Sequence, residues 1–395
     1  MFAVMNAGFW VVWFVTCAGM AKLLAIAENS LHSCGFRRLT LQRVRGVHNV
    51  LLFSYPLLLI WRVGFTGPHW ATAASISPIG TKTALWLLPG LVGFVLLILS
   101  TIRHLTYRPP AFETVLRSQV IDVAQRVPLT ELIGEGRAKW LARLPRNQQF
   151  QLEISEKSYP FSRLPKAWDG LSIVHFSDLH YRGPVTRRYF EEVMREAAAL
   201  NGDMIFFTGD LMDHRQCLEW IPSTLGKLSA PLGCYFVLGN HDWYLPVTDE
   251  MRRRLASHGW QDTAGRVLEL QRGDDRLVIA GTERPWMGTA PDFTGVPENV
   301  FRILLSHGPD QIDWAEANRV DLMFAGHTHG GQIQLPVIGP VYAPSRYSCR
   351  YASGVFYRPP TLMLVTRGIS GREPIRYNCR PELTKVILRC EPAHP

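Results

Sequence analysis

The chain has 395 residues, 47% of them apolar, and a formal net charge of +9, which suggests two or three domains with a large core, membrane spans or both. The charge is uneven: residues 1–150 hold 15 Lys+Arg against 5 Asp+Glu, and residues 151–395 hold 27 against 28. The C-terminal part therefore lacks the basic stripe of a polynucleotide binder, and no nucleic-acid partner is expected.

Three apolar stretches occupy the first hundred residues, over 4–27, 45–63 and 84–102. A spanning helix needs about 20 apolar residues. The first and third reach that length, and the central run VHNVLLFSYPLLLIW (47–61) does so only with its polar flanks. A cleaved signal peptide does not fit the first stretch, which is too long and has neither a basic leader nor an evident cleavage site. Arg37, Arg38, Arg43 and Arg45 follow the first span, and Arg103, Arg108 and Arg117 follow the third. Three spans put both basic clusters on one side, which places the N-terminus outside and the C-terminal domain in the cytoplasm, against a lipid bilayer as partner. Two spans would put those clusters on opposite sides. The seven cysteines form no CxxC pair and no regular spacing, which argues against a disulfide framework and favours a reducing compartment.

Residues 103–150 read as a connector punctuated by Pro109, Pro110, Pro128 and Pro145, with helical periodicity in ETVLRSQVIDVAQRV (113–127). The character changes near residue 150, and 151–395 reads as the catalytic domain. LSIVHFSD (171–178), RRYFEEVMREAAAL (187–200), DMIFFTGD (203–210), a helical stretch near 214–228 and CYFVLGNHD (234–242) give a β-α-β-α-β rhythm. RVLELQRGDDRLVIAGTE (266–283) reads as a hairpin around its GDD turn. MRRRLASHG (251–259) reads as an amphipathic helix whose Arg252–Arg254 face solvent or lipid headgroups.

Five apolar runs each end in residues able to bind a divalent ion. They end on Asp178 and His180, on Asp210 with Asp213 beyond, on Asn240, His241 and Asp242, on His307, and on His327 and His329. Ligands of open α/β sheets sit beyond the carboxyl ends of the strands. Asp, Asn and Gly are ordinary turn residues, so any one of these ends would pass as a turn; five together do not. Two carboxylates, an amide and four imidazoles suit manganese, iron or zinc better than calcium. Seven ligands are too many for one tetrahedral ion, so two divalent ions about 3.5–4 Å apart are expected, with a carboxylate between them.

The blocks DLH (178–180), GDLMD (209–213), GNHD (239–242), SHG (306–308) and GHTH (326–329) resemble those of the calcineurin-like metallophosphoesterases, in family order. The resemblance implies an α/β fold: a four-layer sandwich of two mixed β-sheets flanked by helices, here preceded by transmembrane helices. It implies that Asp178, His180 and His329 hold one metal, that Asn240, His307 and His327 hold the other, and that Asp210 bridges them. His241 matches the family's substrate-facing histidine, with Asp213 or Asp242 as its orienting partner. LPKAWDGLSIVHFSDLH (164–180) and RGISGREPIRYNCRPELTKVIL (367–388) resemble the membrane-anchored bacterial branch of the family. That branch contains phosphodiesterase-like proteins and a UDP-2,3-diacylglucosamine pyrophosphatase of lipid A synthesis.

The expected activity is hydrolysis of a phosphodiester or pyrophosphate by metal-activated hydroxide, in a phosphate-containing and lipid-linked substrate. The alternatives are a phosphodiesterase on soluble nucleotides and a non-enzymatic membrane scaffold; the scaffold has no use for His241. Arg346, Arg350, Arg367, Arg372 and Arg376 read either as a phosphate-holding rim or as a solvated face. Trp243, Tyr244 and Trp286 read as core or as the lining of an acyl or base pocket.

Overall fold

The computed structural model describes residues 5–68, 80–136 and 138–391. These form two compact units. The first is Met1–Tyr107 with Pro336–Arg350, and the second is Arg108–Leu335 with Tyr351–Pro395.

The first unit is built on α1 (Ala7–His32), α2 (Arg38–Leu59), continued by a π-turn over Ile60–Phe65, and α3 (Thr81–Thr106). Asn6 opens α1 by accepting a hydrogen bond from Phe9 N at 2.9 Å. All three helices are long and apolar enough to cross a membrane. The second reaches that length because the helix starts at Arg38 and runs through the polar flank that the apolar run alone lacks. Val11, Phe14, Phe53, Leu57, Leu85 and Val95 are each more than half exposed, a surface that suits lipid and not water. Helices α1 and α3 pack backbone to backbone: a Cβ on Gly19 would fall 1.7 Å from the Gly90 carbonyl oxygen. Close approach through small residues is the usual way helices associate where lipid removes the hydrophobic drive. Segment 336–350 joins this unit through the buried Asn29. Its amide nitrogen donates to Val341 O (3.3 Å) and Ser348 Oγ (3.0 Å), and its oxygen accepts from Ala343 N (3.1 Å).

In the second unit, β1 (Thr114–Asp122), α4 (Leu129–Leu132) and β2 (Gln151–Phe161) precede the alternating part. That part comprises β3 (Ser172–Phe176), α5 (Arg187–Ala199), β4 (Met204–Thr208), β5 (Cys234–Val237), α6 (Asn240–Trp243), α7 (Thr248–Ser257) and β6 (Trp260–Asp262). Then come β7 (Val267–Arg272), β8 (Asp275–Thr282), β9 (Phe301–Ser306), α8 (Ile312–Ala317) and β10 (Leu322–Ala325). The two-residue β11 (Gln334–Leu335) follows; after β12 (Gly339–Pro340), which lies in the segment of the first unit, come β13 (Gly354–Arg358), β14 (Thr361–Val365) and β15 (Glu382–Cys390). One sheet runs β1-β2-β15-β3-β4-β5-β6 and the other β13-β14-β10-β9-β8-β7. Both are mixed: β3 to β6 are mutually parallel, as are β8, β9, β10 and β14, whereas β15 runs antiparallel to β3 inside the first sheet and β7 and β13 run antiparallel at the edges of the second.

Alternation decides which side chains enter which layer. Ile173, Phe206, Tyr235 and Val237 point between the sheets and meet Ile303, Leu305, Leu322 and Phe324. Val174, Phe176, Ile205 and Phe207 point outward to Tyr189, Phe190, Val193 and Met194 of α5 and to Met251 and Leu255 of α7. Both faces of the central strands are covered, which is why they read as unbroken apolar runs. Each such side chain contributes roughly 1.5–3 kcal/mol on burial, and the core so formed holds the strand ends in register.

The hairpin of 266–283 forms as β7 and β8, with Arg272 opposite Asp275. The helical reading of 113–127 is wrong: that stretch contains β1, paired antiparallel with β2 from Thr114↔Ser158 to Asp122↔Gln151. Thr114, Val115, Val120 and Ile121 are β-branched, and pairing with a strand about forty residues away overrides the local period. Helix α7 forms as read, but Arg252 bonds Asp262 (2.7 Å) and Glu283 (2.5 Å), and Arg254 bonds Glu219 (2.9 Å) and Glu250 (3.1 Å). Those two arginines are committed to carboxylates and not to lipid. The seven cysteines are free thiols.

Candidate metal centre

All seven residues expected to ligate metal lie at the carboxyl ends of five parallel strands, three from one sheet and two from the other. Asp178 and His180 follow β3, Asp210 follows β4, Asn240 follows β5, His307 follows β9, and His327 and His329 follow β10. The chain bends sharply there. Asp178, His180, Asp210, His327 and His329 all have positive φ, between 46° and 71°. Such conformations cost on the order of 1–3 kcal/mol each in non-glycine residues. Five of them approach the whole stability of about 5–15 kcal/mol of an ordinary domain, so the strained loops serve the site and not the fold. Gly326 lets two of these loops close up: a Cβ there would sit 2.1 Å from Ser177 Oγ and 2.5 Å from Asp178 Oδ2.

The side chains converge as two groups that share Asp210. Asp178, His180, Asp210 and His329 form one, and Asp210, His307 and His327 form the other. Asn240 joins the second, with Oδ1 3.1 Å from His307 Nε2. The imidazoles are turned by what holds their other nitrogen. His307 Nδ1 donates to Thr208 O at 2.7 Å, His329 Nδ1 donates to Ser370 O at 3.1 Å, and His180 Nδ1 meets Asp213 Oδ2 at 3.2 Å. Each ring thus aims Nε2 inward, the orientation that metal-binding histidines take from their outer partners. His180 Nε2 and His329 Nε2 lie 3.2 Å apart. Two nitrogens on a common ion at about 2.0–2.1 Å are held roughly that far apart. Asp210 Oδ2 is buried without a hydrogen-bond partner, although His180 Nε2 is 3.4 Å away. An orphaned carboxylate oxygen among inward-facing imidazoles fits a divalent pair.

His241 differs from the ligand set. Its side chain is 24% exposed, and Nδ1 lies 2.5 Å from Asp213 Oδ1, which turns Nε2 away from that carboxylate. Asp213 therefore touches both His180 and His241. Asp242, the other partner considered from sequence, accepts backbone hydrogen bonds from Gly239 (2.9 Å), Leu211 (2.9 Å) and Met212 (3.2 Å) and shapes the loops. Asp213, His180 and His241 are themselves close enough to form a third potential metal group.

Burial would raise the pKa of Asp210, but the His307, His241 and His180 rings hold it well below the usual carboxylate range. Burial would likewise lower His180 and His307, yet Asp213 and Asp210 beside the first and Asp210 beside the second push both up to about 9. Burial takes His329 down to about 4. In the metal-free protein these surroundings favour the protonated rings of His180 and His307 and the neutral ring of His329. A metal binds only the neutral ring, so loading the site at neutral pH should release protons. Calorimetry in two buffers of different ionisation enthalpy reads this release directly. A binding heat independent of buffer would contradict it.

Trp286 packs over the second group, its ring 4.8 Å from His327 and 5.3 Å from His307, so it belongs to the wall of the site and not to an open pocket. Two of the five arginines read as a rim are committed elsewhere: Arg367 is held by Glu153 and Glu382, and the guanidinium of Arg376 is buried against the carbonyls of Arg367 and Ser370. Thr208 and Ser370, whose carbonyls orient two histidines, carry no sequence signal, because any residue supplies a carbonyl.

The profile of the calcineurin-like phosphoesterase family matches residues 171–331. A Bacillus subtilis metallophosphoesterase, YkuE, is 32% identical over 268 residues, which is 65% of this chain and 90% of the relative. The chain belongs to the calcineurin-like metallophosphoesterases. Escherichia coli phosphodiesterase YaeI is 28% identical over 225 residues, 55% of this metallophosphoesterase and 81% of the relative. The UDP-2,3-diacylglucosamine pyrophosphatase LpxG of Chlamydia muridarum is 28% identical over 289 residues, 58% of this chain and 87% of the relative. The protein is a metal-dependent phosphoester hydrolase by family, and the family's centre is dinuclear, in keeping with the two groups that meet at Asp210.

Proposed function

We propose that this metallophosphoesterase is anchored in the membrane and hydrolyses a phosphodiester or pyrophosphate bond in a lipid-linked substrate such as UDP-2,3-diacylglucosamine. The observation that carries the reading is the pair of ligand groups sharing Asp210, on a chain whose first helices are apolar enough to span a bilayer. The likeness to LpxG supports the substrate. In this reading Asp178, His180 and His329 hold one ion, Asn240, His307 and His327 the other, and Asp210 both. When bound, two such ions supply positive charge to the phosphoryl oxygens and lower the pKa of the attacking water.

The chain's own contribution is placement. His241 reaches the leaving oxygen with Nε2 and gives it a proton as the phosphorus–oxygen bond breaks. Asp213 accepts from Nδ1 and keeps the ring in that orientation. The basic residues after the first and third spans support a cytoplasmic catalytic unit, since an anionic inner leaflet attracts them.

The test is purified full-length protein with manganese and UDP-2,3-diacylglucosamine, with products read by mass. Uridine monophosphate and the acylated sugar phosphate are expected. Turnover confined to small soluble phosphodiesters would remove the lipid-linked substrate and leave the enzyme class. A reporter that works only outside the cytoplasm, if active when fused after Pro395, would overturn the orientation.

A further inference from the structure

The loops that carry His180 and Asp213 run on into a feature that none of the steps above uses. Arg182, two residues past His180, and His214, next after Asp213, line a pocket of about 350 Å³ with Gln216, Cys217, Trp220 and Glu135. That volume lies at the lower end of the range of about 300–1,000 Å³ for small-molecule sites. One wall is backbone against backbone. Gly134 N donates to Pro184 O at 3.3 Å, and a Cβ on Gly183 would fall 2.5 Å from the Glu135 carbonyl oxygen. A wall of that kind has no side chain that could swing in and fill the space.

The lining has a definite chemical character. Arg182 is tethered through Nη1 to Arg372 O at 3.1 Å and is a quarter exposed, which leaves donors in a fixed fork suited to an oxyanion. Glu373, 4.0 Å from Arg182, offsets part of its charge. Trp220 is fixed by Tyr181 and Phe190, with ring centroids 5.4 Å and 6.1 Å away, and offers the rest of its indole to the pocket. His214, Gln216 and Glu135 add donors and acceptors around it. A guanidinium, an indole and several hydrogen-bonding side chains match a phosphorylated sugar, with or without an attached base.

We infer that this pocket binds the phosphorylated-sugar part of the substrate and that Arg182 and Trp220 set specificity for it. The inference rests on the phosphohydrolase reading and adds the substrate half that this pocket selects.

Uridine monophosphate and glucose 1-phosphate are the probes, each titrated into the metal-free full-length protein in detergent and followed by tryptophan fluorescence and calorimetry. Saturable binding of at least one is expected, weakened at least tenfold by Arg182→Ala and by Trp220→Leu. Preference for the nucleotide assigns a base subsite, and equal affinity assigns the sugar phosphate alone. In turnover, either substitution should raise KM for a sugar nucleotide more than tenfold beyond any change with bis(p-nitrophenyl) phosphate. Trp220→Leu carries the test if Arg182→Ala fails to fold. The assignment is overturned if neither probe binds saturably, or if both substrates suffer equally. Failure of the parent reading looks different: wild-type protein with metal would then hydrolyse no phosphoester at all.

Discussion

Asp210→Ala is expected to abolish turnover, with a loss beyond the roughly 10²–10⁴-fold of a missing proton donor, and to lower the bound metal from two ions per chain. Asp210 is the one side chain common to both ligand groups. Its Oδ1 lies 3.3 Å from His307 Nε2, and its Oδ2 lies 3.4 Å from His180 Nε2. Removing the carboxylate takes an oxygen from both ions and leaves two histidines without the charge that offsets theirs. Asp210 Oδ1 also accepts from His241 N at 2.8 Å, so the loop that presents His241 loses an anchor. Asp210→Asn separates these effects: it keeps the shape and loses the charge. It should fold like the parent and still bind metal weakly. Metal analysis by mass spectrometry beside the rate of nitrophenyl-ester hydrolysis checks both variants. Two ions and a near-parental rate in Asp210→Ala would show that the carboxylate is not shared.

The second large effect belongs to His241. His241→Asn should keep two metals and the fold while kcat falls by about 10²–10⁴-fold. The ring is more exposed than the inward-facing histidines, and Asp213 Oδ1 lies 2.5 Å from its Nδ1, which points Nε2 elsewhere. The loss should shrink for a nitrophenyl leaving group, which needs little protonation, and remain full for an alkyl one. Equal losses for both would mean that His241 stabilises charge on the phosphoryl oxygens and is no acid. Loss of an ion would mean that it is a ligand, as its place in a third group with His180 and Asp213 allows. Asp213→Asn should resemble His241→Asn in its leaving-group dependence and, in addition, weaken metal binding, because Asp213 also holds His180.

The sequence by itself determined the class of chemistry. The five strand ends, their Asp, Asn and His residues and the three apolar stretches are local features, legible because side-chain type and period need no knowledge of distant residues. The choice of Asp213 over Asp242 as the partner of His241 was a tertiary decision. Asp242 is next to His241 and Asp213 lies 28 residues before it, and only the path of the loop after β4 brings Asp213 to the ring while Asp242 turns to backbone amides. Folding likewise took two arginines out of the expected rim, since charges clustered along a chain need not share a surface: Arg376 is buried and Arg367 is ion-paired. Strand β1 has helical spacing in isolation and becomes a strand because β2 offers it a ladder of backbone hydrogen bonds. Segment 336–350 joins the helical unit through residues about 300 positions away, the buried carboxamide of Asn29 and the side chains of Arg45 and His32 at Tyr342. For Asp213, for β1 and for segment 336–350 the deciding partner lies 28 residues away or more, so no local window of the chain contains the information that settles it.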